Sequence, residues 1–574
     1  MASRLAPVIR CLTLNQCRRS SPTLSQIKVG SKKYSTTVRE ENVLVSPFTD
    51  VEIPDLPFAN YVFDSQEKYG GHTALVDGMT GVSYTHDEVR SLCMKLGSAL
   101  TRLDITQGDR VAIVLPNCPE FAFTFMGGVS IGACVTTINC TYTAEEIAHQ
   151  LANSGASAVV TNKVLLPKIK DASKIYKSIR HIIVSGHAEE NLISMENLLK
   201  DDGKAFPQNV QINPAKDVAV LPYSSGTTGL PKGVMLTHRN LVANLQQVQH
   251  PGISCAIPTS DTYQEVYLGI LPFFHIYGMI PCLAYSLCSG GRIVTLPTFD
   301  PKVFISSMKK YKVTFLHTVP PIINFMTHNE HVQRDLLSLT HHVTCGAAPV
   351  GATLIFEFFK KFGDEISFQE GFGMTESSPV THLTPKNNLV AGSTGLLIPN
   401  TEAKIVDINT GQSMGPDEGE GELCVRGPQV MKGYYRNEDA TKNTIDKDGW
   451  LHTGDIARMD ENENIFIVDR LKELIKVKGL QVAPAELEDL IRKHPDVADV
   501  AVIGLPDVRA GEVPRAYVVP VPGSSITDQA IAEFVEREVA PHKKLTGGVH
   551  FTDCIPKSAT GKILRRELKA AALA

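Results

Sequence analysis

The chain has 574 residues, 43% hydrophobic and 20% charged, with a formal net charge of −5. That length exceeds what one hydrophobic core supports, so at least two domains are expected. The mildly acidic balance offers no bulk attraction for nucleic acid, and no basic stripe interleaved with aromatics runs through the body.

The first 39 residues stand apart. They carry Arg4, Arg10, Arg18, Arg19, Lys28, Lys32, Lys33 and Arg39, are rich in Ser and Thr, and hold no acidic residue before Glu40. A basic, hydroxyl-rich, acid-free leader is the pattern of a mitochondrial presequence, so residues 1–39 are read as a leader and the matrix is the expected destination. The twelve cysteines form no CxxC pair, which points to reduced thiols rather than a disulfide framework or a zinc site.

Val111-Ala112-Ile113-Val114-Leu115 is a continuous apolar run closed by Pro116, the pattern of a strand buried on both faces. Residues 121–144 and 269–291 lack Asp, Glu, Lys and Arg, but Gly127-Gly128, Pro272 and Pro281 interrupt them, so no transmembrane helix is expected. Thr143 and Glu146 have capping-box spacing ahead of Ile147, Ala148 and Leu151, which share a helical face. Ala158-Val159-Val160, His181-Ile182-Ile183-Val184 and Val218-Ala219-Val220-Leu221 read as further short strands, the last running into a glycine-rich loop. This alternation predicts an α/β domain of mainly parallel sheets flanked by helices. After Gly449 the texture changes. Charges crowd residues 469–478, and Pro484 opens an amphipathic helix with Leu487, Leu490 and Ile491 on one side. A small α+β unit is expected there, giving domains at 40–470 and 471–574 with a hinge near 469–472.

The densest chemical signal is Ser224-Ser225-Gly226-Thr227-Thr228-Gly229-Leu230-Pro231-Lys232-Gly233. Glycines let a backbone approach an anion, hydroxyls donate to phosphate oxygens, and Lys232 adds positive charge. It is not a Walker A loop, because Gly233 follows the lysine where Ser or Thr would stand. Further along come Gly371-Phe372-Gly373-Met374-Thr375-Glu376, Gly449-Trp450-Leu451-His452-Thr453-Gly454-Asp455, Asp469-Arg470 through Lys478-Gly479, and Pro556-Lys557 through Gly561-Lys562.

In this order and spacing, across roughly residues 60 to 568, the motifs resemble those of the acyl-adenylate-forming superfamily. The likeness is strongest to its 4-coumarate–CoA ligase and luciferase branch. The resemblance implies an ATP-dependent carboxylic acid–CoA ligase that works through an acyl-AMP intermediate, with Mg²⁺ and coenzyme A as further requirements. It implies that Ser224, Ser225, Gly226, Thr227, Thr228, Gly229 and Lys232 hold the β- and γ-phosphates. Thr375 would donate to the α-phosphate and Glu376 would hold Mg²⁺. Gly346, Ala347 and Ala348 would face Gly371, Phe372 and Gly373 across the adenine, and Asp455 and Arg470 would take the ribose. Lys562 would bridge carboxylate and phosphate, and His275 would gate the passage between acyl pocket and pantetheine tunnel. Lys476, Lys478, Gly479 and Gln481 would turn inward when CoA reacts.

Residues 273–278, 317–321 and 346–349 are expected to line the acyl pocket, for a medium or long fatty acid or an arylpropenoic acid. A luciferase-like monooxygenase, a peptide-synthetase adenylation module served by a separate carrier, and a non-catalytic AMP-binding protein are the alternatives. The last predicts decay at Thr375-Glu376, Asp455 or Lys562, where none has occurred.

Overall fold

The computed structural model describes residues 37–39, 42–186, 192–224, 231–386, 388–478, 480–558 and 561–573. The presequence reading therefore falls outside the described residues, apart from its last three.

The apolar run at Val111 forms the strand Arg110–Ile113, with Val111, Ala112 and Ile113 fully buried. It sits mid-sheet between parallel neighbours Cys134–Thr137 and Ala158–Asn162, with His181–Ser185 and Ile193–Ser194 beyond. On the other side Val218–Val220 continues the parallel run, and Lys232–Thr237 and Tyr223–Ser224 close the edge antiparallel. Helix Ala144–Ser154 begins with a formed capping box: the Glu146 N–H donates to Thr143 Oγ1 (3.3 Å) and the Thr143 N–H to Glu146 Oε2 (2.8 Å).

A second nine-stranded sheet has a parallel centre in the order Ser367–Gly373, His342–Cys345, Phe315–Thr318, Val266–Gly269, Arg292–Thr295 and Thr73–Asp77. Its edges, Val380–Leu383 with Leu396–Leu397 and Ser83–Thr85, are antiparallel. Both sheets contribute to one large apolar core. The uncharged stretch 269–291 holds the buried helical turns Gly278–Ala284 and Tyr285–Cys288. Among the described residues no helix is long and apolar enough to cross a membrane.

A third sheet goes beyond what the alternation implies. In it Val43–Val45, Glu402–Val406, Glu420–Arg426, Leu451–Met459 and Ile465–Arg470 pair antiparallel. The chain leaves it at Arg470 and enters a smaller sheet at Ile475–Val477, which pairs with Leu480–Val482 and Gly511–Pro520. Helix Pro484–Arg492 buries Leu487 and Ile491 in that unit's own core. The architecture is α/β: a large body of mixed sheets and helices, followed by a small α+β unit.

Candidate active site

A cavity of about 1120 Å³ opens where the carboxyl ends of the parallel strands face the third sheet and the small unit. Such crevices are the usual ligand sites of α/β sheets, because loops diverge there. The second sheet and its loops contribute His317, Cys345, Gly346 and Gly371 through Glu376; the first contributes Thr137 and Ser224. Thr453, Gly454 and Arg470 come from the third sheet, and Lys562 from the small unit.

Asp455 and Arg470 are direct cross-strand partners on Leu451–Met459 and Ile465–Arg470. Arg470 Nε donates to Asp455 Oδ1 at 2.7 Å. The neighbouring Asp469 is engaged elsewhere: its Oδ2 accepts the Ala485 N–H (2.9 Å) at the start of helix Pro484–Arg492. Asp455 is 2% exposed, and its Oδ2 has no hydrogen-bond partner among the described residues. Burial pushes its carboxyl up to about 6, against the opposing pull of Arg470 and Lys562. A carboxylate with one oxygen pinned and the other unengaged is suited to accept from the vicinal hydroxyls of a ribose.

Thr375 opens the short turn Thr375–Ser377 beyond the strand Ser367–Gly373. Glu376 is buried, and its Oε1 accepts from the Tyr434 hydroxyl at 2.8 Å. Lys232 Nζ lies 5.0 Å from the centre of the same ring, so Tyr434 joins the two charged groups. Ser224 and Lys232 line the cavity, whereas Ser225, Gly226, Thr227, Thr228 and Gly229 lie outside the described residues. Gly346, Ala347, Gly371, Phe372 and Gly373 also line it, and Ala347 holds a left-handed backbone, φ 71°. Ala348 follows in the same turn and is not among the lining residues.

Lys562 reaches the cavity from a tight turn. The Ser558 N–H donates to the Lys562 carbonyl (2.8 Å), and the Lys562 N–H to Ser558 Oγ (3.1 Å). Gly561 has φ +80°, and a Cβ there would meet Pro321 Cγ at 2.8 Å. Glycine alone combines that conformation with so close an approach to the large body. Burial, then the Arg470 charge, pull the Lys562 ammonium below the usual lysine range, while Glu473 and Asp455 pull the other way. Nearby, Arg565 donates to Glu473 Oε2 (2.5 Å) and to both Glu488 oxygens (2.7 and 2.8 Å).

Away from these charges the cavity wall includes Val248, Ile253, Phe274, Tyr277, Tyr285 and Phe315. Phe274 through Tyr277, His317, Gly346 and Ala347 fall within the expected acyl segments. Val248, Ile253, Tyr285 and Leu383 lie outside those segments, because these positions converge only in three dimensions. Burial, with a contribution from Lys562, lowers the His275 ring to about 4, so it is uncharged at neutral pH and a weak base. That suits a wall or gate better than a proton acceptor.

The second group of small-unit residues is placed elsewhere. Lys476 and Lys478 are exposed on the hairpin formed by Ile475–Val477 and Leu480–Val482, and neither lines the cavity. Gln481 belongs to the second of those strands, and Gly479 lies outside the described residues.

Residues 62–435 match the AMP-binding enzyme family, and residues 486–562 match the AMP-binding enzyme C-terminal domain. The chain is 40% identical over 543 residues to 4-coumarate–CoA ligase 3 of Oryza sativa subsp. japonica, covering 93% of this chain and 96% of that protein. It is 38% identical over 549 residues to probable 4-coumarate–CoA ligase 1 of Dictyostelium discoideum, covering 93% and 98%. Among solved structures, ATP-bound MatB from Rhodopseudomonas palustris matches with a TM-score of 0.79 at 25% identity, over 89% of this chain and 98% of that one. The fold is also that of the anthranilate CoA ligase AuaEII in complex with anthranoyl-AMP, with a TM-score of 0.82 at 24% identity over 91% and 99%.

Proposed function

This chain belongs to the AMP-binding enzyme family, and from that premise we propose that it is an acid–thiol ligase joining a hydrophobic monocarboxylic acid to coenzyme A. The acid's carboxylate attacks the α-phosphorus of ATP and expels pyrophosphate; the thiol of CoA then attacks the acyl carbon and expels AMP. The observation that carries this reading is that Lys562 of the small unit and Arg470, which is paired with Asp455, line one cavity that continues into an apolar wall.

In this reading Asp455 and Arg470 seat the ribose, while Gly346, Ala347 and Phe372 bound the adenine. Thr375, Ser224 and Lys232 face the phosphates. Lys562 stabilises the charge that accumulates as carboxylate and phosphate approach, a preorganised contact that water would have to reorganise to provide. Glu376, buried and oriented by Tyr434, would hold Mg²⁺, which neutralises phosphate charge when bound. His275 stays neutral and separates the acyl and thiol sides.

The substrate we propose first is a medium or long fatty acid, because each methylene buried against the apolar wall contributes about 0.8 kcal/mol. An arylpropenoic acid is the second reading, favoured by the 4-coumarate–CoA ligase relatives. Pyrophosphate release with and without CoA, across straight-chain acids from acetate upward beside cinnamic and coumaric acids, tests both. Release that needs neither acid class nor CoA would overturn the ligase reading; a maximum at acetate would overturn the pocket reading. The acid-free leader supports a mitochondrial matrix address, checked by fractionating cells that carry a carboxyl-terminal tag.

A further inference from the structure

Beside the ribose end of the cavity lies a cluster that the adenylation chemistry does not use. Glu422 and Cys424 stand two residues apart on Glu420–Arg426, and His452 is the direct cross-strand partner of Cys424 on Leu451–Met459. Glu422 Oε2 and Cys424 Sγ both converge on His452 Nδ1, at 2.8 and 3.5 Å. One ligand atom from each of the three lies within 4.8 Å of the others.

We propose that Glu422, Cys424 and His452 form a binding site for a thiophilic divalent cation of the zinc class. Thiolate, imidazole and carboxylate together are a zinc donor set, and three protein ligands leave a fourth position for water or another small ligand. Glu422 and His452 line the cavity, so that position is reachable from it.

Two further observations fit a bound cation at this cluster. The surroundings already have the form of an outer shell: His452 Nε2 faces Asp446 Oδ2 at 3.6 Å, and Glu422 Oε1 accepts the Gly454 N–H at 3.0 Å. A metal-bound imidazole commonly directs its other ring nitrogen to a carboxylate, which fixes its tautomer. The donors are also held on paired strands and so need little rearrangement. Binding displaces the Nδ1 proton of His452 and the thiol proton of Cys424 to solvent and forms the metal–nitrogen and metal–sulfur bonds. Sequence spacing hides the cluster, because its cysteine and histidine are 28 residues apart and belong to different strands.

The test titrates the full chain with Co²⁺ and reads the thiolate-to-cobalt charge-transfer band together with metal stoichiometry. One Co²⁺ per chain is expected, with the band lost in Cys424→Ser and displaced by Zn²⁺. Asp446→Asn keeps an oxygen for the Asp448 and Trp450 amides it now accepts and should weaken cobalt binding about 10- to 100-fold. It serves as the second variant should Cys424→Ser fold poorly. Absence of the band at saturating Co²⁺, or a band and affinity unchanged in both variants, overturns the proposal.

Discussion

Glu370, which precedes Gly371 on the strand Ser367–Gly373, should make the fold sensitive to alkali. It is 6% exposed, and burial pushes its carboxyl from 4.5 up to about 8; the backbone N–H groups of Gly392 and Val350 hold it down, and Asp489 of the small unit raises it further. A carboxyl whose folded pKa is raised binds protons more tightly when folded. Its ionisation therefore destabilises the fold, starting as pH rises above the unfolded value and reaching its full extent above the folded one. With those two values, moving from pH 5.5 to 8.5 costs about 3 kcal/mol at about 1.4 kcal/mol per tenfold change in affinity. A cooperative unit the size of the matched segment 62–435 has an unfolding entropy of about 0.8 kcal/mol/K, so the loss corresponds to about 4 °C. Glu370→Gln cannot ionise. Scanning calorimetry at the two pH values should show the wild type losing about 4 °C more than the variant. Parallel pH slopes in the two proteins would refute the reasoning.

What can be read in the sequence is what local chemistry encodes. The capping box at Thr143 and Glu146 is a relation within one helical turn, and the strand at Val111 is a run buried on both faces; both stand in the structure. The third sheet is not legible because alternation marks a strand without naming its partner, and here Glu402–Val406 pairs with the later strand Glu420–Arg426. Arg470 shows the same limit at the scale of one residue. Its sequence neighbour is Asp469, but a side chain on a strand meets its cross-strand partner more readily than its neighbour, which points to the other face. The register sets Asp455 opposite Arg470 and leaves Asp469 to the helix Pro484–Arg492. Tyr434 against Glu376, and Tyr285 in the apolar wall, depend on packing between distant segments. No spacing rule announces either.

Three further outcomes are expected. Lys562→Ala should slow adenylation about 10²- to 10³-fold and largely spare conversion of a supplied acyl-adenylate to thioester; equal losses in both half-reactions would show that its charge serves both. Because burial raises Asp455 to about 6, its carboxylate form is lost as pH falls through that value, and KM for ATP should climb about tenfold per pH unit below it. A KM independent of pH between about 5 and 8 would detach Asp455 from the nucleotide. The last concerns Arg565, whose side chain is 12% exposed and whose partners Glu473 and Glu488 are 17% and 6% exposed. Arg565→Met removes the cation and leaves two enclosed carboxylates facing the gap, so it should destabilise the small unit by about 3–5 kcal/mol. Hydrogen exchange across Pro484–Arg492 and Arg565–Leu573 reads that loss locally. Adding Glu488→Gln to Arg565→Met should recover part of it, since one of the stranded charges is then gone, and this non-additivity separates an electrostatic role from lost packing. Exchange rates that are unchanged in Arg565→Met would mean that the network contributes little to the stability of the small unit, and a double variant no better than the single would assign the loss to packing rather than to the stranded charges.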